Sequence, residues 1–377
     1  MVSVHRHRSV HRHRAVQLVG VAALGVLLGA CGSTTPSSSS GTASSGTASS
    51  SAAPVTVAVL LPDNVTPRYE GQDLPAITAA LKKDIPNVKV VSYNALGDET
   101  TQISQAETAL TDGAKVLVVI PEDSNAAAAI VNTAHQSKVP VIAYTRIINN
   151  SPLDYFIGKD TVAMGKDEGN WLVAHTKPGD NIAVINGSPT DENAKLYNEG
   201  YMGVLQPLFS SGVLHLAGSQ QWTPNWDPSA AQTEIEQLLT QTSDNIQAVI
   251  GPNDNMDTGI VAALTAANLA GKVTLTGLDG TAAGLQRIVK GTQGMSDAQD
   301  IAAMGAATGQ VASYLVKGQT PPSSLFQGTL NNGSINVPTV FASTKIFDIA
   351  NLSGAISAGF VTKGTLCQGI PAGTGPC

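Results

Sequence analysis

The sequence predicts an α/β fold that contains two doubly wound lobes of the Rossmann type. Three observations support this prediction. The chain has 377 residues, 42% of them apolar, which is enough for two domains with real cores. Short β-branched runs alternate with helical stretches, an order typical of parallel sheets covered by helices on both faces. The alternation runs through two successive series, and two sheets accommodate that number of strands better than one.

The first 30 residues have the order of an export signal. Four arginines and four histidines between positions 5 and 14 precede an apolar run over 15–30. The alternative is a membrane-spanning helix, but the run is shorter than the roughly 20 residues that cross a bilayer. It ends Leu28-Gly29-Ala30-Cys31, which resembles the lipobox of bacterial lipoproteins. We therefore expect Cys31 to carry lipid and to anchor the exported protein to the outer face of the cell membrane, rather than to follow the signal by chance.

Residues 31–53 are predicted to be a flexible tether. Nearly every residue from Gly32 to Ala53 is Ser, Thr, Gly or Ala, so the segment has no apolar surface to bury. A coil of roughly 22 residues reaches about 25 Å on average. Removal of the signal takes away four arginines and no acidic residue, so the net charge of −7 becomes −11. An acidic protein of this kind is unsuited to nucleic acid, because phosphate recognition needs a clustered basic surface.

The first series of elements begins after Pro54. Its predicted strands are Val55–Leu61, Val88–Tyr93, Lys115–Ile120 and Val141–Tyr144. Its predicted helices lie near 75–83, 101–110 and 126–136. The order is strand, helix, strand, helix, which predicts parallel pairing.

The second series has five predicted strands. They are Asp154–Ile157, Asn181–Ile185, Val213–Gly218, Ala248–Gly251 and Val273–Thr276. One interleaved helix is well marked, because Asp227 is a natural N-cap and Pro228 suits the first helical position. Another helix ends at Gly271, a residue type favoured just beyond a helix.

Polar side chains follow many of the predicted strands. In open parallel sheets a ligand lies beyond the carboxyl ends of the strands, so these positions are candidates for binding. They include Asp63, Asn64, Arg68, Tyr69, Thr145, Arg146, Lys159, Asp160, Asp191, Asn193, Lys195, Asn253, Asp254 and Asp279. Carboxylates and amides accept from hydroxyls while amides and guanidinium groups donate to them, so the set suits a vicinal polyol. For Asp191, Asp254 and Asp279 the alternative role is a helix N-cap.

Aromatic residues add an apolar surface to this polar set. Trp222 and Trp226 lie in a loop, where a tryptophan can cover the apolar face of a sugar ring. The alternative is that they pack the loop onto its own lobe, which we expect of one of the two. Trp171 lies inside a helical segment and is expected to be a packing residue.

Motifs for catalysis are missing from the sequence. It contains no Gly-rich phosphate loop ending in Gly-Lys-Ser/Thr, no H-E-x-x-H and no G-x-S-x-G. Outside the signal, His135, His175 and His215 are each alone in their segments, which gives little support to zinc or histidine chemistry. We expect no catalytic residue, no metal and no cofactor. A glycoside-processing enzyme with paired carboxylates remains an alternative, since Asp160, Asp191, Asp254 and Asp279 are available.

From Val55 to about Lys363 the chain resembles the periplasmic xylose-binding proteins of pentose ABC transporters, which are type I periplasmic binding proteins. The most specific matching strings are Gly187-Ser188-Pro189-Thr190-Asp191-Glu192-Asn193-Ala194-Lys195 and Leu330-Asn331-Asn332-Gly333. Other matching strings are Gly97-Asp98-Glu99-Thr100-Thr101-Gln102, Leu117-Val118-Val119-Ile120-Pro121, Ala143-Tyr144-Thr145-Arg146-Ile147-Ile148-Asn149, Gln221-Trp222 with Trp226, Asn253-Asp254, Gly277-Leu278-Asp279 and Gly291-Thr292-Gln293.

The resemblance implies a two-lobed binder that holds a monosaccharide in the cleft between its lobes. The implied contacts are Arg68, Arg146, Asp160, Asn193, Asn253 and Asp279, and the full candidate set adds Tyr69, Thr145, Trp222 and Asp254. Four departures leave the identity of the sugar open. Thr145 stands where the family has aspartate, Leu278 where it has glutamine, and Tyr69 where it has tryptophan. The fourth departure is a family lysine that is missing near Asp297-Ala298-Gln299.

The resemblance also implies a multi-strand hinge, with crossovers near Ile147, Asp279 and Leu325. The first lobe would then hold residues 54–147 and 280–325, and the second lobe with the C-terminal tail 148–279 and 326–377. We expect a monomer that closes around xylose or a related sugar or polyol and passes it to an ABC transporter permease. A sugar-sensing module that reports to a receptor is the alternative.

The two cysteines that remain after Cys31 are Cys367 and Cys377. An exported protein lies in an oxidising compartment, so we expect a disulfide that closes the C-terminal tail. The alternative is two free thiols at a frayed end.

Overall fold

The computed structural model describes residues 53–377. The predicted signal, Cys31 and almost all of the predicted tether lie outside these residues. No helix in the described part of the chain is long and apolar enough to cross a membrane.

The described chain contains fourteen strands and eleven helices, several of them short. The strands are β1 Val55–Leu61, β2 Val88–Asn94, β3 Val116–Val119, β4 Val141–Tyr144, β5 Tyr155–Gly158, β6 Asn181–Asn186, β7 His215–Leu216, β8 Gln221–Trp222, β9 Ala248–Ile250, β10 Thr274–Leu275, β11 Met295–Gln299, β12 Gly328–Asn331, β13 Asn336–Phe341 and β14 Thr344–Asp348. The helices are α1 Leu74–Asp84, α2 Glu99–Thr111, α3 Ala128–Gln136, α4 Thr161–Ala174, α5 Glu192–Ser210, α6 Pro228–Thr242, α7 Asp257–Ala266, α8 Ala282–Lys290, α9 Ile301–Leu315, α10 Ser353–Ser357 and α11 Lys363–Leu366.

The first lobe is built on a seven-stranded sheet with the order β12-β13-β5-β4-β3-β1-β2. All neighbours are parallel except the antiparallel hairpin β12–β13. Successive residues of β1 alternate between two cores, with Ala58 and Leu60 in one and Val57 and Val59 in the other. The sheet is therefore covered by helices on both faces, and its central strands are apolar throughout.

The second lobe is built on a five-stranded parallel sheet. Its order is β10-β9-β6-β7, and β8 pairs with the distal end of β6. Its core includes Ile182–Ile185 of β6 together with the apolar face of α6 at Ile235 and Leu238. As predicted, Asp227 caps α6, and its carboxylate accepts from the backbone N–H of Ser229 at 2.7 Å.

Two segments assigned by the sequence to the second lobe belong to the first sheet. The strand predicted at Asp154–Ile157 is β5, which pairs with β4, and β13 pairs with β5 on its other side. The predicted boundaries after residues 147 and 325 are therefore wrong for these strands. Strand periodicity reports that a segment is extended but carries no information about its partner, which is the physical reason for the error.

The chain crosses between the lobes at three places. Each crossing lies later in the sequence than its predicted position near Ile147, Asp279 or Leu325. The crossings are 158–161 between β5 and α4, 299–301 between β11 and α9, and 341–344 between β13 and β14. The strands β11 and β14 pair antiparallel beside the second lobe. Because α9 lies on the first lobe, packing against α1, the middle crossing follows β11.

The C-terminal tail packs on α8 and β14. Its small core includes Leu285, Phe347, Leu352 and Leu366. Cys367 and Cys377 are joined by a disulfide, with a Cα–Cα distance of 5.4 Å. The tail is therefore a closed loop attached to the second lobe.

Candidate functional site

A cavity lies between the lobes, beyond the carboxyl ends of strands from both sheets. It encloses about 320 Å³, including the part that is open to solvent. Its lining residues are Thr66, Arg68, Tyr69, Lys159, Asp191, Asn193, Tyr197, Trp226, Pro252, Asn253, Leu278 and Asp279. Its position is the one that the topology of open α/β sheets favours for a ligand.

Arg68 extends from the first lobe into this cavity. It precedes a short π-helical turn, Tyr69–Asp73, that leads into α1. Its Nε donates to Asp73 Oδ2 at 2.8 Å, and its Nη1 donates to Asp279 Oδ1 of the second lobe at 2.6 Å. Burial disfavours the charge, but these two carboxylates outweigh it and raise the pKa of Arg68. The side chain is a fixed cation that joins both lobes.

Arg146 forms a second ionic bridge between the lobes. Its Nε lies 2.8 Å from Asp191 Oδ2, and it also donates to the Tyr69 hydroxyl at 3.1 Å. The guanidinium carbons of Arg68 and Arg146 lie 5.2 Å and 5.3 Å from the centre of the Tyr69 ring. Cation–π attraction to both groups therefore helps to hold the ring in place. Arg146 is only 2% exposed and lies behind Tyr69 and Asp191 rather than among the lining residues.

Lys159 is a buried cation at the first crossing. Its Nζ donates to the carbonyl oxygen and the Oγ1 of Thr145, at 3.1 Å and 3.0 Å. Burial, reinforced by the nearby charge of Arg68, lowers the pKa of Lys159 to about 7. The protonated amine has three N–H donors and Thr145 takes two of them, so Lys159 retains donor capacity toward the cavity.

Two amides from the second lobe point into the cavity region. Asn193, in the first turn of α5, donates from Nδ2 to the Thr145 carbonyl at 2.9 Å. Asn253 follows β9, and its Oδ1 accepts from the backbone N–H of Met256 at 2.8 Å, which leaves its Nδ2 as a donor. Thr145 has a φ of 58°, which is unusual for a β-branched residue, and this strain sits where Lys159 and Asn193 converge.

Trp226, rather than Trp222, is the tryptophan of the cavity. It lies at the end of a turn in which Asn225 and Trp226 both have positive φ, 56° and 54°. Its six-membered ring packs directly over Gly187, where a Cβ would overlap the indole. Its Nε1–H is buried without a partner, and so is Oγ1 of Thr66, another lining residue. Unpartnered buried polar atoms are costly, so both groups are available to a polar ligand.

Five of the ten predicted site residues line the cavity: Arg68, Tyr69, Asn193, Asn253 and Asp279. Arg146 and Thr145 support them from behind. The other three lie elsewhere. Asp160 is exposed and caps α4, Trp222 packs against the core of the second lobe, and Asp254 is fully buried, accepting from Thr281 and Gln293.

Two of these three, Asp160 and Asp254, are misplaced for the same physical reason. The end of a strand identifies the correct edge of the sheet, but each side chain there points either to the cleft or into its own lobe. Asp160 acts only as the N-cap of α4. Asp191, for which the sequence suggested a cap as the alternative role, caps α5 and also binds Arg146. Strand-end position predicts Lys159 and Asp191, and the resemblance marks Leu278 as a departure from a family glutamine, whereas Thr66, Tyr197 and Pro252 have no comparable signal in the sequence.

The arrangement suits an uncharged ligand with several hydroxyl groups. Arg68 and Arg146 are each paired with a carboxylate from the other lobe, so the cavity has no large surplus of either charge. Among residues 53–377, no group of three or more His, Cys, Asp or Glu side chains is arranged to hold a metal ion. The chemistry of the lining is therefore hydrogen bonding to oxygen, with one indole ring as an apolar surface.

A profile of the periplasmic binding protein domain matches residues 57–320. This chain belongs to the periplasmic binding protein family. Among curated relatives of this binding protein, a D-xylose-binding periplasmic protein of Haemophilus influenzae is 34% identical over 283 residues, which cover 75% of this chain and 84% of that protein. The D-xylose-binding periplasmic protein of Escherichia coli is 36% identical over 258 residues, which cover 68% of this chain and 77% of that protein.

Solved structures of periplasmic binding proteins share this architecture. The carbohydrate transporter solute-binding protein of Chloroflexus aurantiacus, solved in complex with D-glucose, superposes with a TM-score of 0.76 at 27% identity, over 82% of this chain and 97% of that one. The fold of this binding protein is therefore the type I fold that its sequence predicted.

Proposed function

We propose that this protein captures a monosaccharide, xylose or a related sugar or polyol, and delivers it to an ABC transporter. The observation that carries the proposal is one cavity between the lobes, lined by the donors of Arg68, Lys159 and Asn253 and by the indole of Trp226. A ligand with several hydroxyls would accept hydrogen bonds from these donors, and the indole would cover its apolar face. The relatives described as D-xylose-binding support the same ligand class.

The departures from the xylose-binding pattern lie close together. Thr145 Oγ1 accepts from Lys159 Nζ at 3.0 Å and lies 3.4 Å from Gln299 Oε1. The lysine that the family pattern has near Gln299 is missing, and Thr145 contacts both Gln299 and the amine of Lys159. We therefore expect a different hydroxyl arrangement to be recognised on this wall than in the xylose-binding relatives.

Capture is proposed to occur by hinge closure. The lining residues come from both lobes, so a ligand that touches Arg68 and Asn253 together binds the closed form in preference to the open one. Micromolar affinity corresponds to about −8 kcal/mol, within reach of a few charge-assisted hydrogen bonds and one stacked ring. No catalytic role is proposed for any residue.

The test of the ligand is a thermal-shift screen of the purified protein with pentoses, hexoses and polyols, followed by calorimetric titration of the best compound. We expect a rise in Tm with at least one neutral sugar or polyol, because ligand that binds only the folded state stabilises it. Stabilisation by no compound of the three classes would contradict the proposal. Formation of a product from a labelled glycoside would instead favour an enzyme.

Lipid attachment at Cys31 and delivery to a permease complete the proposal. Mass spectrometry of the mature N-terminus tests the first part: we expect a lipid-modified peptide that begins at Cys31, and an unmodified peptide beginning elsewhere would refute it. Uptake of the identified sugar tests the second, since deletion of the protein should abolish transport at low sugar concentration. Sedimentation of the purified protein tests the expected monomer.

A further inference from the structure

A set of hydrogen bonds joins the two lobes outside the sugar cavity. Ser124 follows β3 of the first lobe, and its backbone N–H donates to the Thr190 carbonyl of the second lobe at 3.0 Å. The Ser124 Oγ accepts from the backbone N–H of Glu192 at 3.0 Å. Asn149 of the first lobe donates from Nδ2 to Glu192 Oε2 at 3.0 Å. We call these four residues, Ser124, Asn149, Thr190 and Glu192, the rim latch.

The rim latch is built into both lobes. Within the first lobe, the Asn149 backbone N–H donates to the Ser124 carbonyl at 2.7 Å, so the two donor segments are held together. In the second lobe, Glu192 is the first residue of α5, directly after the N-cap Asp191. The first N–H groups of a helix have no partner inside the helix, so Ser124 satisfies one of them from the opposite lobe. Ser124 itself is completely buried.

None of the four residues lines the cavity. They therefore stabilise the closed arrangement without touching the ligand. We propose that the rim latch sets the closing equilibrium of the lobes, and thereby the affinity for every ligand of the cavity by one common factor. This inference rests on the proposed function only for its affinity readout, because the closing equilibrium is measurable without ligand.

The expected size follows from ordinary hydrogen-bond energetics. In an open form, water would replace each contact, so each contributes only its net value to closure. Loss of one such bond shifts the closing equilibrium by about three- to ten-fold, so it weakens binding by up to that factor. The apparent Kd varies inversely with the fraction of closed-competent protein, so the factor is the same for two different sugars.

The first experiment compares Ser124→Ala and Asn149→Ala with the matched control Asn125→Ala. Asn125 is the exposed neighbour of Ser124, and its side chain accepts only from Asn150 of the same lobe. We expect each latch variant to raise the Kd of the two best sugars of the screen by the same factor. The control should leave both Kd values unchanged. Unequal factors for the two sugars would overturn the proposal, because they would mean contact with the ligand.

A charge-introducing variant gives a second readout. Asn149→Asp places a carboxylate against Glu192 Oε2, so we expect weaker binding than in Asn149→Ala and partial recovery at 1 M salt, where the Debye length is about 3 Å. A simple loss of folding would not recover in this way. Equal affinities of the two variants at low salt would count against the rim latch.

The closing equilibrium is then measured without any sugar. Small-angle X-ray scattering of the ligand-free protein should show a larger radius of gyration for Asn149→Asp than for the wild type and for Asn125→Ala. If no sugar binds the wild type, the proposed function fails, and the scattering experiment still decides the rim latch. An unchanged radius of gyration in Asn149→Asp would refute it.

Discussion

Arg68 Nη1 of the first lobe lies 2.6 Å from Asp279 Oδ1 of the second lobe, so a cation and a carboxylate meet across the cleft. Asp279 also accepts from Gln299 Nε2 at 3.0 Å, and it has a positive φ of 92°. Strain of this kind persists only where the surrounding contacts enforce it. The carboxylate is therefore held in one orientation, facing both Arg68 and the cavity.

We expect Asp279→Asn to weaken sugar binding by roughly 1.5–3 kcal/mol, because charge-assisted hydrogen bonds contribute about that much. Calorimetric titration measures the change. Asp160→Asn is the matched control, since Asp160 is exposed, caps α4 and lies outside the cavity lining, and asparagine is an equally good N-cap. A larger affinity loss in Asp160→Asn than in Asp279→Asn would show that the site lies elsewhere.

The unpartnered indole N–H of Trp226 leads to a second prediction. Trp226→Phe keeps an aromatic surface over Gly187 but removes the donor. We expect an affinity loss of about 1 kcal/mol, the net value of one hydrogen bond, with little change in ligand-free Tm. Trp222→Phe is the control, because Trp222 packs on the core of the second lobe. The sugar affinity of this variant should be unchanged. Unaltered affinity in Trp226→Phe would remove the indole from the ligand contacts.

Buried carboxyl groups of the second lobe predict a pH dependence of stability. Burial raises the pKa of Asp254 to about 6, of Asp297 to about 7 and of Glu168 to about 8. The folded state therefore holds protons that the unfolded state releases, so the free energy of unfolding decreases as pH rises from about 4 to about 8. Lys159, whose pKa is lowered to about 7, acts in the opposite direction, but only above that pH.

We accordingly expect the ligand-free Tm to fall between pH 5 and pH 8. Glu168→Gln should flatten the upper part of this profile, because glutamine still accepts from Thr276 but does not titrate. Differential scanning calorimetry at constant ionic strength measures both profiles. A wild-type Tm that rises throughout this range would contradict the prediction.

The disulfide between Cys367 and Cys377 predicts a redox-dependent stability. The two cysteines are ten positions apart, and the loop-entropy relation gives about 2–3 kcal/mol for a loop of that size. Reduction should therefore lower Tm, and the double variant Cys367→Ser with Cys377→Ser should match the reduced protein. Sugar affinity should stay the same, because the tail packs on α8 and β14, away from the cavity lining. Alkylation of both cysteines in the untreated native protein would refute the bond.

The two-lobed α/β fold was predictable because it depends on local patterns. Strands β1 and β4 have the bounds that their β-branched runs predict, and α6 begins at Pro228, after the predicted cap Asp227. Periodicity and capping are properties of neighbouring residues, so the sequence alone carries them. The same is true of the strand ends that placed Arg68, Asn253 and Asp279 near one cleft.

Tertiary structure alone decided which sheet β5 and β13 join, because strand pairing depends on partners distant in the sequence. It also decided that Trp226 rather than Trp222 lines the cavity, and that Asp254 turns into its own lobe while Lys159 lines the cavity. A strand-end position determines the edge of the sheet on which a residue lies. The direction of its side chain depends on tertiary packing within its own lobe and against the opposite lobe, which no local pattern encodes.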